Sequence, residues 1–315
     1  MQSLNSFCTP LRAVWTVNNE PTETLWWPVK ESSKNSYKIV LFFIPGNPGL
    51  VEYYTRFLED IYQTTESKLE IYGVSHLGHS VGHHSEIPNK VKKDEPYSLQ
   101  EQIDHKIACF DELCANKPPN THYILMGHSM GSYVCAEVLK ARQTANIGRL
   151  IALFPTLREI ALTPNGVAMT RLLSSIPLGL ISNAASLASY IPSPIRQAIT
   201  GLVTGQTEPC VRVTAHQLMN GSVVKNVIHM AVQEMETIKA LDHDFYDSHV
   251  DKFIIYYSKN DQWAPEDHFE YMKEKFPKAQ IHLCPENLPH AFILESGHSQ
   301  YMAKKVVTWI DEYSE

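Results

Sequence analysis

Residues Gly127-His128-Ser129-Met130-Gly131 set a serine between two glycines, each two positions away. The apolar stretch Tyr123 to Met126 leads in, and the helix-compatible run Ser132 to Lys140 follows. A serine nucleophile on a sharp strand-to-helix turn has this pattern, because the turn closes only if Gly127 and Gly131 carry no side chain. A serine hydroxyl is a poor nucleophile at neutral pH. It needs a base within hydrogen-bond reach and a carboxylate that fixes the tautomer of that base. In such a fold the partners follow in the order serine, acid, histidine. Asp261, after the strand-like KFIIYYSKN, and His290, after AQIHLCPEN, satisfy that order. His298 in SGHSQ is the spare base.

Acyl transfer also needs donors aimed at the developing oxyanion. The Met130 amide follows the serine directly, and IPGNPG (44–49) offers the Asn47 amide after Gly46, where a backbone without a side chain approaches closely. A second group of residues invites different chemistry: His76, His79, His83 and His84 in SHLGHSVGHH. Clustered imidazoles are metal ligands in some sites, but histidines in such a loop usually hydrogen-bond locally, and no metal is expected here. His105 in QIDHKIACF is expected to be an ordinary helix residue.

The elements that would position these groups alternate. YKIVLFFIPG (37–46), KLEIYGVSH (68–76), HYILMGHS (122–129), RLIALFPT (149–156), KFIIYYSKND (252–261) and AQIHLCPEN (279–287) each resemble a buried strand bounded by turn residues. Helical stretches between them predict an α/β fold with a mostly parallel sheet covered on both faces. Upstream, LRAVWTVN and TETLWWPV predict an antiparallel pair at the sheet edge. The alternation breaks between the fourth and fifth of these strands, so residues 157–250 are expected to form an inserted helical cap within a single domain spanning 1–315. Inside it, 172–195 has no charged residue and lies between Arg171 and Arg196. Pro177, Pro192 and Pro194 argue against one membrane-spanning helix. They leave two readings, cap helices over an active site or a surface that inserts into a lipid interface without crossing it.

A formal net charge of −7 gives nucleic acid no broad basic surface and excludes it as an expected partner. The six cysteines, Cys8, Cys109, Cys114, Cys135, Cys210 and Cys284, lack CxxC spacing and are expected to be reduced thiols. The N-terminus shows no secretory pattern, Met1-Gln2 excludes myristoylation, and the final Tyr-Ser-Glu is no retention or peroxisomal address. Asn220-Gly221-Ser222 is then an accidental glycosylation match.

FFIPGNPGLVEYY, VSHLGH, SLQEQIDHKIACF, GHSMGSYV, LFPTLREIALTPNG, YYSKNDQWAPEDHFEYMKEKFP and CPENLPHAF together resemble the lipid droplet-associated serine hydrolases of the α/β-hydrolase superfamily. The resemblance spans about residues 42 to 293 and thins in the insertion after TPNG. It implies Ser129 as nucleophile, Asp261 as acid, His290 as base and the Asn47 turn as part of the oxyanion hole. It also implies neutral-lipid esters, such as triacylglycerol or steryl ester, as substrates; acyl-enzyme chemistry on such a serine requires no cofactor. The implied location is the lipid droplet surface, with the endoplasmic reticulum membrane and cytosol as further places. The alternatives are a droplet-binding or organising protein with little turnover, and an esterase or thioesterase for soluble acyl substrates.

Overall fold

The structure, a computed structural model, describes residues 10–30, 39–82, 87 and 95–314. Cys8, Tyr37, Lys38, His83 and His84 lie outside the described residues. One sheet of eight strands contains β1 (Leu11–Val17), β2 (Glu20–Trp27), β3 (Ile39–Ile44), β4 (Glu70–Val74), β5 (His122–His128), β6 (Ile147–Leu153), β7 (Phe253–Ser258) and β8 (Gln280–Cys284). Their spatial order is β1-β2-β4-β3-β5-β6-β7-β8. β1 and β2 form the edge hairpin, and its turn residues Asn18 and Asn19 have φ of 51° and 63°. A tight hairpin turn needs that left-handed backbone, and asparagine tolerates it. β2 runs antiparallel to β4, and from β4 to β8 every pairing is parallel.

Helices α1 (Thr55–Thr64), α2 (Leu99–Ala115), α3 (Met130–Ala141), α4 (Pro164–Ser175), α5 (Leu178–Ser189), α6 (Ser193–Thr204), α7 (Cys210–Val213), α8 (Gly221–Thr237), α9 (His243–Ser248), α10 (Glu266–Lys275) and α11 (Ser296–Ser314) complete the chain. β3 and β7 are buried along their whole length because helices cover both faces of the sheet. Alternate residues divide between two cores: Val40, Phe42 and Ile44 pack with α2 and α3, whereas Leu41 and Phe43 pack with α1 and α11.

Strand order fixes where a ligand crevice opens. From β3 the chain turns through α1 to β4 on one side, and α2 then carries it back to β5 on the other. The loops after β3 and β5 therefore leave neighbouring strands and diverge, which opens a crevice at the carboxyl edge. Register pairs Ile44 with Gly127, so the Pro/Gly loop and the serine turn emerge side by side.

Between β6 and β7 the regular structure is helical. The uncharged run is divided among α4, α5 and α6: Pro177 immediately precedes α5, Pro192 immediately precedes α6, and Pro194 lies in the first turn of α6. Among the described residues no single helix is long and apolar enough to cross a membrane, and the α4–α5 pair, which passes on composition, bends by 88°. Among the described residues the large apolar side chains left exposed all fall between Leu162 and Val203, among them Leu187, Tyr190 at 84% and Leu202 at 87% exposure. Arg196 is the one charged residue from 172 to 207, and it is buried with Nη1 donating to the Ser189 carbonyl at 2.7 Å. A cation at the carboxyl end of α5 complements the helix dipole and takes the charge off that surface.

Candidate active site

Ser129 immediately precedes α3 with φ 53° and ψ −126°, a positive-φ conformation that costs a residue with a side chain roughly 1–3 kcal/mol. The surrounding backbone holds it there. Its amide donates to Leu153 O at 2.9 Å, the Ser132 amide donates to Ser129 O at 3.0 Å, and Ser132 Oγ donates to Gly127 O at 2.8 Å. A β-carbon on Gly127 would stand 2.4 Å from the Gly131 backbone, and one on Gly131 would stand 2.3 Å from Ile44 O. Both glycines are thus required by backbone contact.

Ser129, Asp261 and His290 converge at the carboxyl edge, in the loops after β5, β7 and β8. His290 Nδ1 lies 2.6 Å from Asp261 Oδ2, and His290 Nε2 lies 2.8 Å from Ser129 Oγ. A carboxylate only accepts, so Nδ1 carries the proton, Nε2 is the acceptor and the serine hydroxyl donates to it. Asp261 Oδ1 receives the amides of Trp263 at 2.7 Å and Ala264 at 3.0 Å. Burial pushes the Asp261 pKa up, but the His290 imidazole and these two amides outweigh it and hold the carboxyl below its usual range. His298 stands elsewhere, at the start of α11 and 2.8 Å from Glu295.

The loop after β3 carries Asn47 against the serine turn. A β-carbon on Gly46 would approach Ser129 Cβ to 3.0 Å. Two of the clustered histidines fasten this loop. His76 Nε2 donates to Pro45 O at 3.0 Å and the Gly49 amide donates to His79 Nδ1 at 2.8 Å. Burial and the nearby Lys106 ammonium lower both pKa values, to about 3 for His79, so both rings stay neutral. Their role in the fold is to hold backbone. Among the described residues no three His, Cys, Asp or Glu side chains are grouped to hold a metal ion. Cys109, Cys114, Cys135, Cys210 and Cys284 are free thiols. His105 lies buried in α2 beside Lys106.

Two features went unread in the sequence. His128 Nε2 donates to the His290 carbonyl at 2.9 Å, which leaves Nδ1 to accept from the Tyr54 hydroxyl at 2.7 Å. The Tyr54 oxygen in turn accepts the Gly46 amide at 3.2 Å. Burial, helped by neighbouring His290, lowers the His128 pKa to about 3 and keeps the ring neutral. The second feature is Glu234 of α8, whose Oε1 receives Asn47 Nδ2 at 2.9 Å, while the same Nδ2 also reaches Val227 O at 3.0 Å. Burial raises the Glu234 pKa to about 7. Its signal was present: Val223, Met230 and Glu234 are the buried side chains of the α8 stripe, an acid where the spacing calls for an apolar residue.

A cavity of about 210 Å³ opens on Ser129 and His290, with Asn47, Met169, Leu173, Ile228 and Glu234 among its lining. That is small beside the ~300–1,000 Å³ of typical ligand pockets.

Sheet order, helical insertion and carboxyl-edge crevice define an α/β hydrolase. A soluble variant of monoglyceride lipase from Saccharomyces cerevisiae has the same fold, with a TM-score of 0.63 at 14% identity over 98% of this chain and 96% of that one. The chain belongs to the lipid-droplet associated hydrolases, whose family pattern matches residues 37–293. It is 32% identical to the mouse lipid droplet-associated hydrolase over 282 residues, covering 87% of this chain and 85% of the relative. It is 29% identical to the chicken protein of that name over 288 residues, covering 89% and 87%.

Proposed function

We propose that this hydrolase cleaves carboxylic esters of neutral lipids, such as triacylglycerol or steryl esters, at the surface of lipid droplets through an acyl-enzyme intermediate. The observation that carries the reading is the unbroken chain from Asp261 through His290 to Ser129, at 2.6 and 2.8 Å. Ser129 Oγ attacks the ester carbonyl carbon as its proton passes to His290 Nε2. Asp261, ionised and fixed by two amides, stabilises the imidazolium. The carbonyl oxygen becomes an oxyanion that the Met130 and Asn47 amides receive. Collapse breaks the bond to the alcohol, which leaves with the proton from Nε2. Water then attacks the acyl-serine, giving its proton to Nε2, and release of the acid returns that proton to Ser129.

Residues 157–250 act as the cap in this reading, and α4, α5 and α6 meet the lipid. Their exposed leucine, isoleucine, valine and tyrosine side chains, with the one intervening charge buried, suit an interface that takes up apolar area at about 25 cal/mol per Å². The experiment is Ser129→Ala compared with wild type, each given a fluorophosphonate probe and an emulsified ester. Wild type is labelled and turns over, while the variant loses labelling and several orders of magnitude of turnover at an unchanged melting temperature. Equal labelling of both proteins refutes the assignment.

A further inference from the structure

Glu234 is unexplained by the mechanism. It stands on a wall that Met169 and Leu173 of α4 and Ile228, Ala231 and Met235 of α8 make apolar. A carboxyl there is costly unless something repays its desolvation. Asn47 Nδ2 gives one N–H to the Val227 carbonyl and the other to Glu234, but a glutamine carbonyl would accept the second as well, so this bond does not call for a carboxyl. Among the described residues, that bond from Asn47 is the only hydrogen bond to the Glu234 side chain, so its second oxygen is left for whatever enters the cavity.

We propose that Glu234 is a specificity-determining residue of the ester site, taking a hydroxyl that the substrate carries two or three carbons from the scissile bond. The position follows from Asn47, whose side chain holds Glu234 and whose backbone amide is the proposed second oxyanion donor, and from the cavity that Asn47, Glu234 and Ser129 line together. The neutral donor follows from the surroundings. Burial raises the carboxyl's pKa and so disfavours the charged form that a cationic ligand would need, whereas either form of the carboxyl accepts from a hydroxyl. The assignment rests on Ser129 as the nucleophile, and within the neutral-lipid esters it favours those that keep a free hydroxyl over fully acylated triacylglycerol or steryl ester. That hydroxyl is on the alcohol side in a partial glyceride and on the acyl side in a hydroxy-acid ester.

Three short esters separate these cases: glycerol 1-monobutyrate, propyl 3-hydroxybutyrate and propyl butyrate. In wild type at least one hydroxylated ester should exceed propyl butyrate in kcat/KM by about ten-fold or more, since a site built to bind a hydroxyl rejects the analogue lacking it. Glu234→Leu should bring that ratio down to near unity, and Glu234→Gln, which keeps an acceptor, should restore part of it. A ratio measured on one protein is unaffected by any unfolded fraction, and should the leucine variant fail to fold, a fall of about three-fold in the glutamine variant reads the same quantity. No preference in wild type, or an unchanged ratio in the variants, overturns the proposal while leaving the hydrolase reading intact. Wild type that cleaves none of the three and takes no fluorophosphonate overturns both.

Discussion

Gly131→Ala asks whether backbone contact between the two loops sets the reaction geometry. The added carbon would meet Ile44 O at 2.3 Å and Pro45 O at 2.4 Å, both main-chain atoms, so no side-chain rotation relieves the clash. Cβ atoms essentially never come under 3.0 Å, and ordinary contact begins at 3.4 Å, so the loops must part by 0.7 to 1.1 Å. That separates the Met130 amide from the Asn47 amide, the two donors proposed for the oxyanion. A misplacement of about 1 Å costs on the order of 10²-fold in rate. Forcing a methyl into close-packed backbone costs roughly 1–3 kcal/mol. The assay is kcat/KM on p-nitrophenyl butyrate together with a thermal melt, and both should fall. Gly179→Ala is the control: a β-carbon there meets nothing within 4 Å, so the helix gains up to about 1 kcal/mol and turnover on this soluble ester holds. A Gly131→Ala protein with wild-type turnover and melting temperature refutes the reasoning.

His290→Ala should lose activity on the scale of the serine variant and Asp261→Asn should lose it through the tautomer of the base, whereas His298→Ala should retain it; the reverse ranking in steady-state kinetics would reassign the base. Leu180→Asp with Leu187→Asp, both exposed, should move the protein from an oil emulsion to the aqueous fraction on flotation while p-nitrophenyl butyrate is still cleaved. Unaltered flotation would place the attachment elsewhere. Glu23 is buried with one oxygen unpartnered, and burial, with help from nearby Glu52, raises its pKa from 4.5 to about 7. The folded state keeps this proton longer, so the group's stability is fully present below pH 4.5 and is lost as pH rises through 7, by on the order of 3 kcal/mol. Glu23→Gln should therefore narrow the difference between urea midpoints at pH 5 and pH 8, and an undiminished difference contradicts the assignment.

The sheet was readable because parallel strands buried on both faces are continuous apolar runs, as IVLFFI and FIIYYS are. The convergence of Ser129, Asp261 and His290 as a candidate site was legible because each follows such a run, and parallel strands bring their carboxyl ends to one edge. The breaks at Pro177 and Pro192 followed from proline's missing amide. What stayed hidden depends on contact across long sequence separations. Asn47 and Glu234 meet only once α8 lies over the crevice. His76 and His79 looked like a possible ligand cluster until the loop they hold was placed beside them. Ile181, apolar in sequence like Leu180, is half-buried rather than exposed, a distinction that depends on how α5 lies on α8.

The hydrogen bonds running from the Gly46 amide through Tyr54 and His128 to the His290 carbonyl have a fixed polarity, because an amide at one end only donates and a carbonyl at the other only accepts. Reversal is impossible, and so is replacing one link alone. Phenylalanine at 54 would strand the Gly46 donor and the His128 acceptor together in the interior; an apolar residue at 128 would strand the Tyr54 proton and the His290 carbonyl, at about 1–3 kcal/mol for each orphaned group. Evolution among relatives should therefore change positions 54 and 128 as a pair. The histidine before the serine, which a motif reading treats as a free position, should then be inherited together with the tyrosine that precedes α1.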